Sequence, residues 1–251
     1  MPDRRTHRGP HPEDARLFDA EAQRRLHRAA EDFCWLLTHG YAHDSALKLV
    51  GDRHSLVARQ RVAVSRGCCS EVQAAQRRSR QVGGEQLRGA ALWVDGYNVL
   101  ITIEAALAGG VILAARDGAY RDMASMHGSY RKVAETRPAL ELLGRTIAAL
   151  EVAECRWYLD RPVSNSGRLK AVIEELAVSQ GWPWGVELVS NPDAVLSNST
   201  GKIVVATADS VVLDRCPAWF NLARETIAHY VPGAWVLEIA GDIPPTPLTA
   251  D

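Results

Sequence analysis

Apolar positions keep a helical spacing through the first part of the chain and change to short apolar runs near residue 90. Between residues 15 and 39, Leu17, Phe18, Ala22, Leu26, Ala29, Ala30, Phe33, Leu36 and Leu37 recur at a helix period. Gly40 follows as a C-terminal cap. Asp44-Ser45 can cap a second helix through Val50, halted by Gly51, and Ser55 can open a third to about residue 65. Residues 71–90 have the composition of a helix tail and connector. The pattern predicts a helical module over 14–80, preceded by a polar, disordered tail at 1–13. A module this small is hard to stabilise without a neighbour.

From residue 91 the pattern alternates. Apolar runs predict strands at 91–94, 111–114, 156–159, 186–189, 203–206 and 235–239. Helical spacing predicts helices at 99–107, 120–134, 139–153, 168–179 and 219–230. Such alternation predicts an α/β domain over 90–241 with a mostly parallel, doubly wound sheet. Residues 242–251, with three prolines, read as a flexible tail.

Composition changes this picture little. The 251 residues are 47% hydrophobic and 24% charged, as in soluble globular proteins. The net charge of −1 conceals an asymmetry: residues 1–90 carry 16 basic and 11 acidic side chains, the remainder 13 and 19. A basic front and an acidic rear fit a nucleic-acid grip joined to a cation-binding centre. Five cysteines without a CxxC pair are expected to be reduced thiols rather than zinc ligands. Without an apolar signal segment or a run of about 18 apolar residues, the expected location is cytoplasmic, with no membrane partner.

The chemistry-bearing pattern is an aspartate closing an apolar run. Leu92-Trp93-Val94 ends at Asp95-Gly96, Trp157-Tyr158-Leu159 ends at Asp160, and Val204-Val205-Ala206 is followed by Thr207-Ala208-Asp209. Ligands of open α/β sheets sit beyond the strands' carboxyl ends, so adjacent parallel strands would bring these carboxylates to one rim. Like charges at close range need a cation or raised pKa values. Oxygen donors at a half-open site suit Mg²⁺ or Mn²⁺. Asp193, after Asn191-Pro192, is a fourth metal-ligand candidate. Each aspartate also has a turn or cap reading when taken alone.

Around these, Asn98 and Thr207 could position water or phosphate. Ser164 and Ser166, ahead of a predicted helix, could seat an anion. Asp117 and Asp122 read as a solvated face. In the helical module, Arg53, His54, Arg59 and Arg66 are candidates for gripping phosphates, with a solvated or ion-paired face as the rival reading. Phe33, Trp35 and Tyr41 fit a core better than base stacking.

Val94-Asp95-Gly96-Tyr97-Asn98-Val99 resembles the opening strand of PIN-like nucleases, especially the NYN branch, whose first motif reads Asp-Gly-x-Asn. Thr207-Ala208-Asp209-Ser210 resembles their late Thr/Ser-x-Asp motif. The resemblance implies a PIN-like three-layer α/β/α sandwich whose acidic residues bind Mg²⁺ or Mn²⁺ and cleave RNA. Such domains carry a second acidic residue between the two motifs; Asp160, Asp117 and Glu174 are the candidates here. The N-terminal segment, with Gly40-Tyr41, Ser45-Ala46-Leu47 and Val50-Gly51-Asp52-Arg53-His54, resembles an uncharacterised prokaryotic family, domain of unknown function 434.

The resulting expectation is a metal-dependent endonuclease acting on RNA ahead of DNA. Asp95, Asp160, Asp193 and Asp209 would hold metal. Catalysis would rest on Asp95, Asp209, Asp160 and Asn98. Two rivals stay open, a non-catalytic nucleic-acid-binding or assembly module and a small-nucleotide phosphoesterase. A homo-oligomer is also left open.

Overall fold

The computed structural model describes residues 8–124 and 130–240. Its first part holds α1 (Asp14–Leu17), α2 (Ala20–Thr38), α3 (His43–Arg53), α4 (Ala58–Gly67) and α5 (Glu71–Arg80). Asp19 and Ser70 cap α2 and α5 by accepting backbone N–H groups. Gly51 does not stop α3. It is buried inside the helix, where a Cβ would lie 2.3 Å from the Arg61 guanidinium, so it serves close packing.

The α/β part begins with β1 (Ala91–Asp95) and α6 (Gly96–Leu107). It continues through β2 (Ile112–Ala114), β3 (Tyr120–Asp122), α7 (Thr136–Ala149), β4 (Glu154–Asp160), α8 (Ser166–Gln180) and β5 (Trp184–Val189). Then come α9 (Pro192–Ser197), β6 (Ile203–Ala206), α10 (Ser210–Leu213), β7 (Trp219–Phe220), α11 (Leu222–Tyr230) and β8 (Val236–Glu238). The main sheet has the order β5-β4-β1-β6-β7, and its paired strands all run parallel. Strand alternation sorts the side chains into two cores. Leu92, Val94, Trp157, Leu159, Val204 and Ala206 join the core shared with α6, α7, α8 and α11. Tyr158 and Val205 point the other way, toward α9 and α10. The arrangement is an α/β sheet flanked by helices, consistent with a three-layer sandwich.

Three expectations about elements are corrected. Strands at 111–114 and 235–239 do form, but as β2 and β8 of a separate three-stranded sheet, β3-β2-β8. One face of this small sheet, with Val111, Leu113, Leu237 and Ile239, packs on Leu26, Phe33, Val64 and their neighbours in the helical part. The helix expected at 120–134 opens instead as β3. The signal is Asp117-Gly118: Gly118 takes φ +88°, and Gly118 N–H donates to Ala115 O, closing a hairpin back onto β2. Residues 125–129 of that expected helix lie outside the described residues. Finally, residues 219–220 pair with Val205 and Ala206 as β7, and the helix starts after Asn221, which caps it.

Candidate active site

Between β1 and β6 the strand order reverses, and the crevice beyond that reversal is where open α/β sheets bind ligands. Asp95 ends β1 there. Gly96 must follow, because a Cβ would stand 2.4 Å from a Leu159 methyl and 2.9 Å from the Tyr158 carbonyl oxygen. The chain can therefore turn directly into α6 alongside β4. A cleft of about 440 Å³ opens at this point. Asp95, Asp160, Asp193, Asp209 and Asn98 all line it, as do Arg66, Arg121 and Asp122.

Asp95 is buried, 8% exposed. Burial pushes its carboxyl up to about 7; Thr207 opposes this, and the charges of Asp209, Asp193 and Asp160 add to it. Thr207 Oγ1 donates to Asp95 Oδ2 at 2.7 Å and accepts from the Asp209 N–H at 3.0 Å. Thr207 thus positions the Asp95 carboxylate and the Asp209 backbone rather than standing free for phosphate. Asn98 Oδ1 accepts the Ala208 N–H at 2.8 Å, tying α6 to the same turn. Asp209 caps α10, accepting from Val211 and Val212 N–H. Burial also raises Asp160. The hydroxyl of Tyr97, buried at the cleft wall, has no hydrogen-bond partner among the described residues, and burial followed by the Asp160 charge pushes it up to about 12.

The other predicted residues divide. Arg66 lines the cleft and donates to the Asp122 carbonyl oxygen at 2.8 Å. Arg59 lies apart, spent on the buried Asp14, to which its Nη2 donates at 2.7 Å. Arg53 and His54 both engage Asp32, at 3.2 and 2.8 Å. Ser164 and Ser166 do not line the cleft, and Ser166 is buried with Oγ donating to the Arg161 carbonyl. Of the candidates for a second acid, Glu174 pairs with Lys170 and Asp160 reaches the cleft.

Asp117 and Asp122 are not a solvated face. Asp122 is buried at the cleft wall, accepting from Thr102 and Ala124, and burial raises its pKa despite Arg66. Asp117, 1% exposed, binds Arg121 through both its oxygens and Arg77 through one. Burial would lift its pKa, but the two guanidiniums outweigh burial and bring it down to about 2. Arg121 also donates to the Ala208 carbonyl at 2.8 Å, so this buried ion network supports the turn that carries Asp209.

Sequence reasoning missed Arg121 and Asp122 as cleft residues. It also missed His43 and Ser65, which line the cleft from α3 and α4 with His43 Nε2 3.1 Å from Ser65 Oγ. Their helices carry no motif, and tertiary packing alone brings them to the rim. Among the described residues no group of three or more His, Cys, Asp or Glu side chains is placed to hold one metal ion directly. A cleft whose acidic groups are all aspartate carboxylates fits a hydrated Mg²⁺-type ion, which is held by one or two carboxylates and keeps its waters or substrate oxygens. It does not fit a closed zinc centre.

Residues 84–225 match the family described as Domain of unknown function (DUF5616), and residues 25–80 match Protein of unknown function (DUF434). The chain belongs to the DUF5616 family. It is 32% identical over 190 residues to the uncharacterized protein MJ0935 of Methanocaldococcus jannaschii, covering 75% of this chain and 88% of that protein. No solved structure matches it. The DUF5616 match spans β1 through the start of α11 and so contains all five cleft aspartates, Asp122 included, while the DUF434 match covers most of the helical part. Among the described residues no helix is long and apolar enough to cross a membrane.

Proposed function

We propose that this protein hydrolyses phosphodiester bonds as a Mg²⁺- or Mn²⁺-dependent endonuclease, with RNA ahead of DNA as substrate. The observation that carries this reading is the gathering of Asp95, Asp160, Asp193 and Asp209 around one cleft at the sheet's reversal point, with Asp95 raised to about 7. Neighbouring carboxylates whose charges add to burial in raising Asp95 and Asp193 cost stability, and a cation-binding role accounts for that cost. The likeness of Asp95-Gly96-Tyr97-Asn98 and Thr207-Ala208-Asp209 to PIN-like nuclease motifs supports the same assignment.

A divalent cation in the cleft would supply the charge that lets these carboxylates ionise together and polarises phosphate and water for in-line displacement. The chain's own groups set the geometry. Thr207 fixes Asp95 and the Asp209 backbone. Asn98, its oxygen spent on Ala208, keeps its amide nitrogen for a phosphate oxygen. Tyr97 offers a buried hydroxyl that lacks a partner among the described residues, and Arg66 offers a guanidinium at the rim.

One observation favours a second reading. Asp209 commits its Oδ1 to capping α10, a structural role that a non-catalytic nucleic-acid-binding or assembly module would also show.

Labelled single-stranded RNA and DNA incubated with the protein in Mg²⁺, Mn²⁺ or chelator separate the two. Metal-dependent cutting of RNA, lost in both Asp95→Asn and Asp209→Asn, is the expected result. Equal cutting by all three proteins, or none, would move the assignment to the binding module.

A further inference from the structure

The exposed face of α2 bears an arrangement that the cleft chemistry does not use. Arg24, Arg28, Asp32, Trp35 and His39 are spaced by four, four, three and four residues, so they share one helix face. At 1.5 Å per residue that face runs for roughly 22 Å. Arg24, Arg25 and Arg28 are exposed and make no ion pair or hydrogen bond among the described residues. With Arg53 they line one hollow beside Glu21. Asp32 does not break the run of positive charge, because Arg53 and His54 hold its carboxylate. Exposed Glu31, three residues after Arg28 and four before Trp35, sets one carboxylate where the cationic part of the stripe meets the aromatic part.

Beyond Asp32 the character changes from cationic to aromatic. Trp35 is 46% exposed and stacks on His39, with ring centroids 3.9 Å apart. Trp35, Leu49 and Arg53 line an adjoining groove between α2 and α3, so Arg53 belongs to both hollows. Tyr41, 54% exposed, lies in the turn that follows α2, and His43 two residues later lines the acidic cleft. The expectation that Trp35 and Tyr41 belong to a core is thereby corrected. Of the three aromatics considered, Phe33 is the buried one.

Guanidiniums without counter-ions followed by exposed rings are the two components of a single-strand binding surface. The cations track phosphates, and the rings stack on bases whatever their identity. We propose that the α2–α3 face is a track for single-stranded RNA, with backbone phosphates on Arg24, Arg25 and Arg28, bases on Trp35 and His39, and the strand led past Tyr41 into the acidic cleft. This rests on the nuclease reading for its choice of RNA. A protein or lipid partner is less well matched, because three exposed guanidiniums lead the stripe and the large exposed apolar side chains beyond them, Trp35, Tyr41 and Leu49, are few.

The test is fluorescence anisotropy of a short labelled RNA strand with the full-length protein in chelator, where metal-dependent cutting is silent. The titration is repeated between about 50 and 200 mM salt. Arg24→Ala/Arg25→Ala/Arg28→Ala is expected to weaken binding at least tenfold and to flatten the log–log salt dependence by about 2, at roughly 0.7 for each phosphate no longer neutralised. Trp35→Ala is expected to weaken binding about five- to tenfold with the salt slope unchanged, and Trp35→Phe to recover most of the loss. Circular dichroism of each variant checks that the fold is intact.

Affinity and salt slope unaltered in the triple variant would overturn the track, as would a Trp35→Ala protein that binds like wild type. Duplex or single-stranded DNA binding as tightly as RNA would overturn the choice of RNA. The nuclease reading fails separately. A protein that binds in this way but cuts nothing keeps the track and loses the enzyme. One that cuts RNA equally well with the three arginines removed keeps the enzyme and loses the track.

Discussion

At the scale of single residues, the chain spends stability on Asp95. Its carboxyl has a higher pKa in the fold, about 7, than in the unfolded chain, where burial and the neighbouring charges are absent. Folding therefore takes up a proton at this group. The contribution is complete below about pH 4 and is lost as pH rises through about 7, a change worth up to about 4 kcal/mol. Asparagine keeps the shape and an oxygen to accept from Thr207, but cannot ionise. Asp95→Asn is therefore expected to lie within about 1 kcal/mol of wild type near pH 4.5 in chelator and to exceed it by about 2–4 kcal/mol near pH 8. Urea unfolding at the two pH values measures this, and a gain that does not depend on pH would show that the Asp95 charge is not what costs stability. Asp117 carries the opposite sign. Its pKa is depressed to about 2 by Arg121 and Arg77, so its contribution stands above the unfolded value near 4 and fades only in strong acid.

At the scale of elements, the same sequence feature that marked the site also fixes a helix against a strand. The Asp95-Gly96 step was legible because a buried parallel strand reads as an apolar run, and the register of β1 with β4 and β6 puts Asp95 at its end. The sequence did not disclose why glycine follows. That reason is the approach of Leu159 and the Tyr158 carbonyl, which belong to a strand more than sixty residues away. Gly96→Ala must push β4 and α6 apart, and overpacking of this kind costs about 1–3 kcal/mol. The variant is expected to lose that much in urea unfolding and to lose metal-dependent cutting more than stability alone explains, because the displaced helix carries Asn98. Stability equal to wild type would show that the neighbouring strand relaxes freely. β3 and β7 were illegible for a related reason. Tyr120–Asp122 and Trp219–Phe220 continue an apolar spacing that suits a helix, and their strand state comes from pairing with Ile112–Ala114 and with Val205 and Ala206. Asp117-Gly118 was the local signal that could have revealed the first of these, and Asn221 as a cap the second.

At the scale of the whole molecule, the helical part and the α/β part are bound by burial and by charge. The small sheet β3-β2-β8 turns Val111, Leu113, Leu237 and Ile239 onto α2 and α4. Gly67 at the end of α4 sits so near Ile239 that a Cβ would come within 2.8 Å of its side chain. From α5, Arg77 reaches Asp117 at 2.8 Å and Asp214 at 2.7 Å, while its carbonyl accepts the Trp219 indole N–H at 2.6 Å. A chain beginning at residue 81 would expose the apolar face of the small sheet. It would also leave Asp117 buried with Arg121 as its remaining cation, and breaking a buried pair in this way costs about 3–5 kcal/mol. Since a domain's whole margin is about 5–15 kcal/mol, residues 81–251 are expected to bind a hydrophobic dye and to lack a cooperative thermal transition. The full chain should show one transition followed alike by tryptophan fluorescence and circular dichroism. A sharp transition in the shortened protein would mean that the helices merely decorate a self-sufficient α/β unit. His43, Ser65 and Arg66 argue otherwise, because packing on the small sheet is what delivers these three side chains to the rim of the acidic cleft.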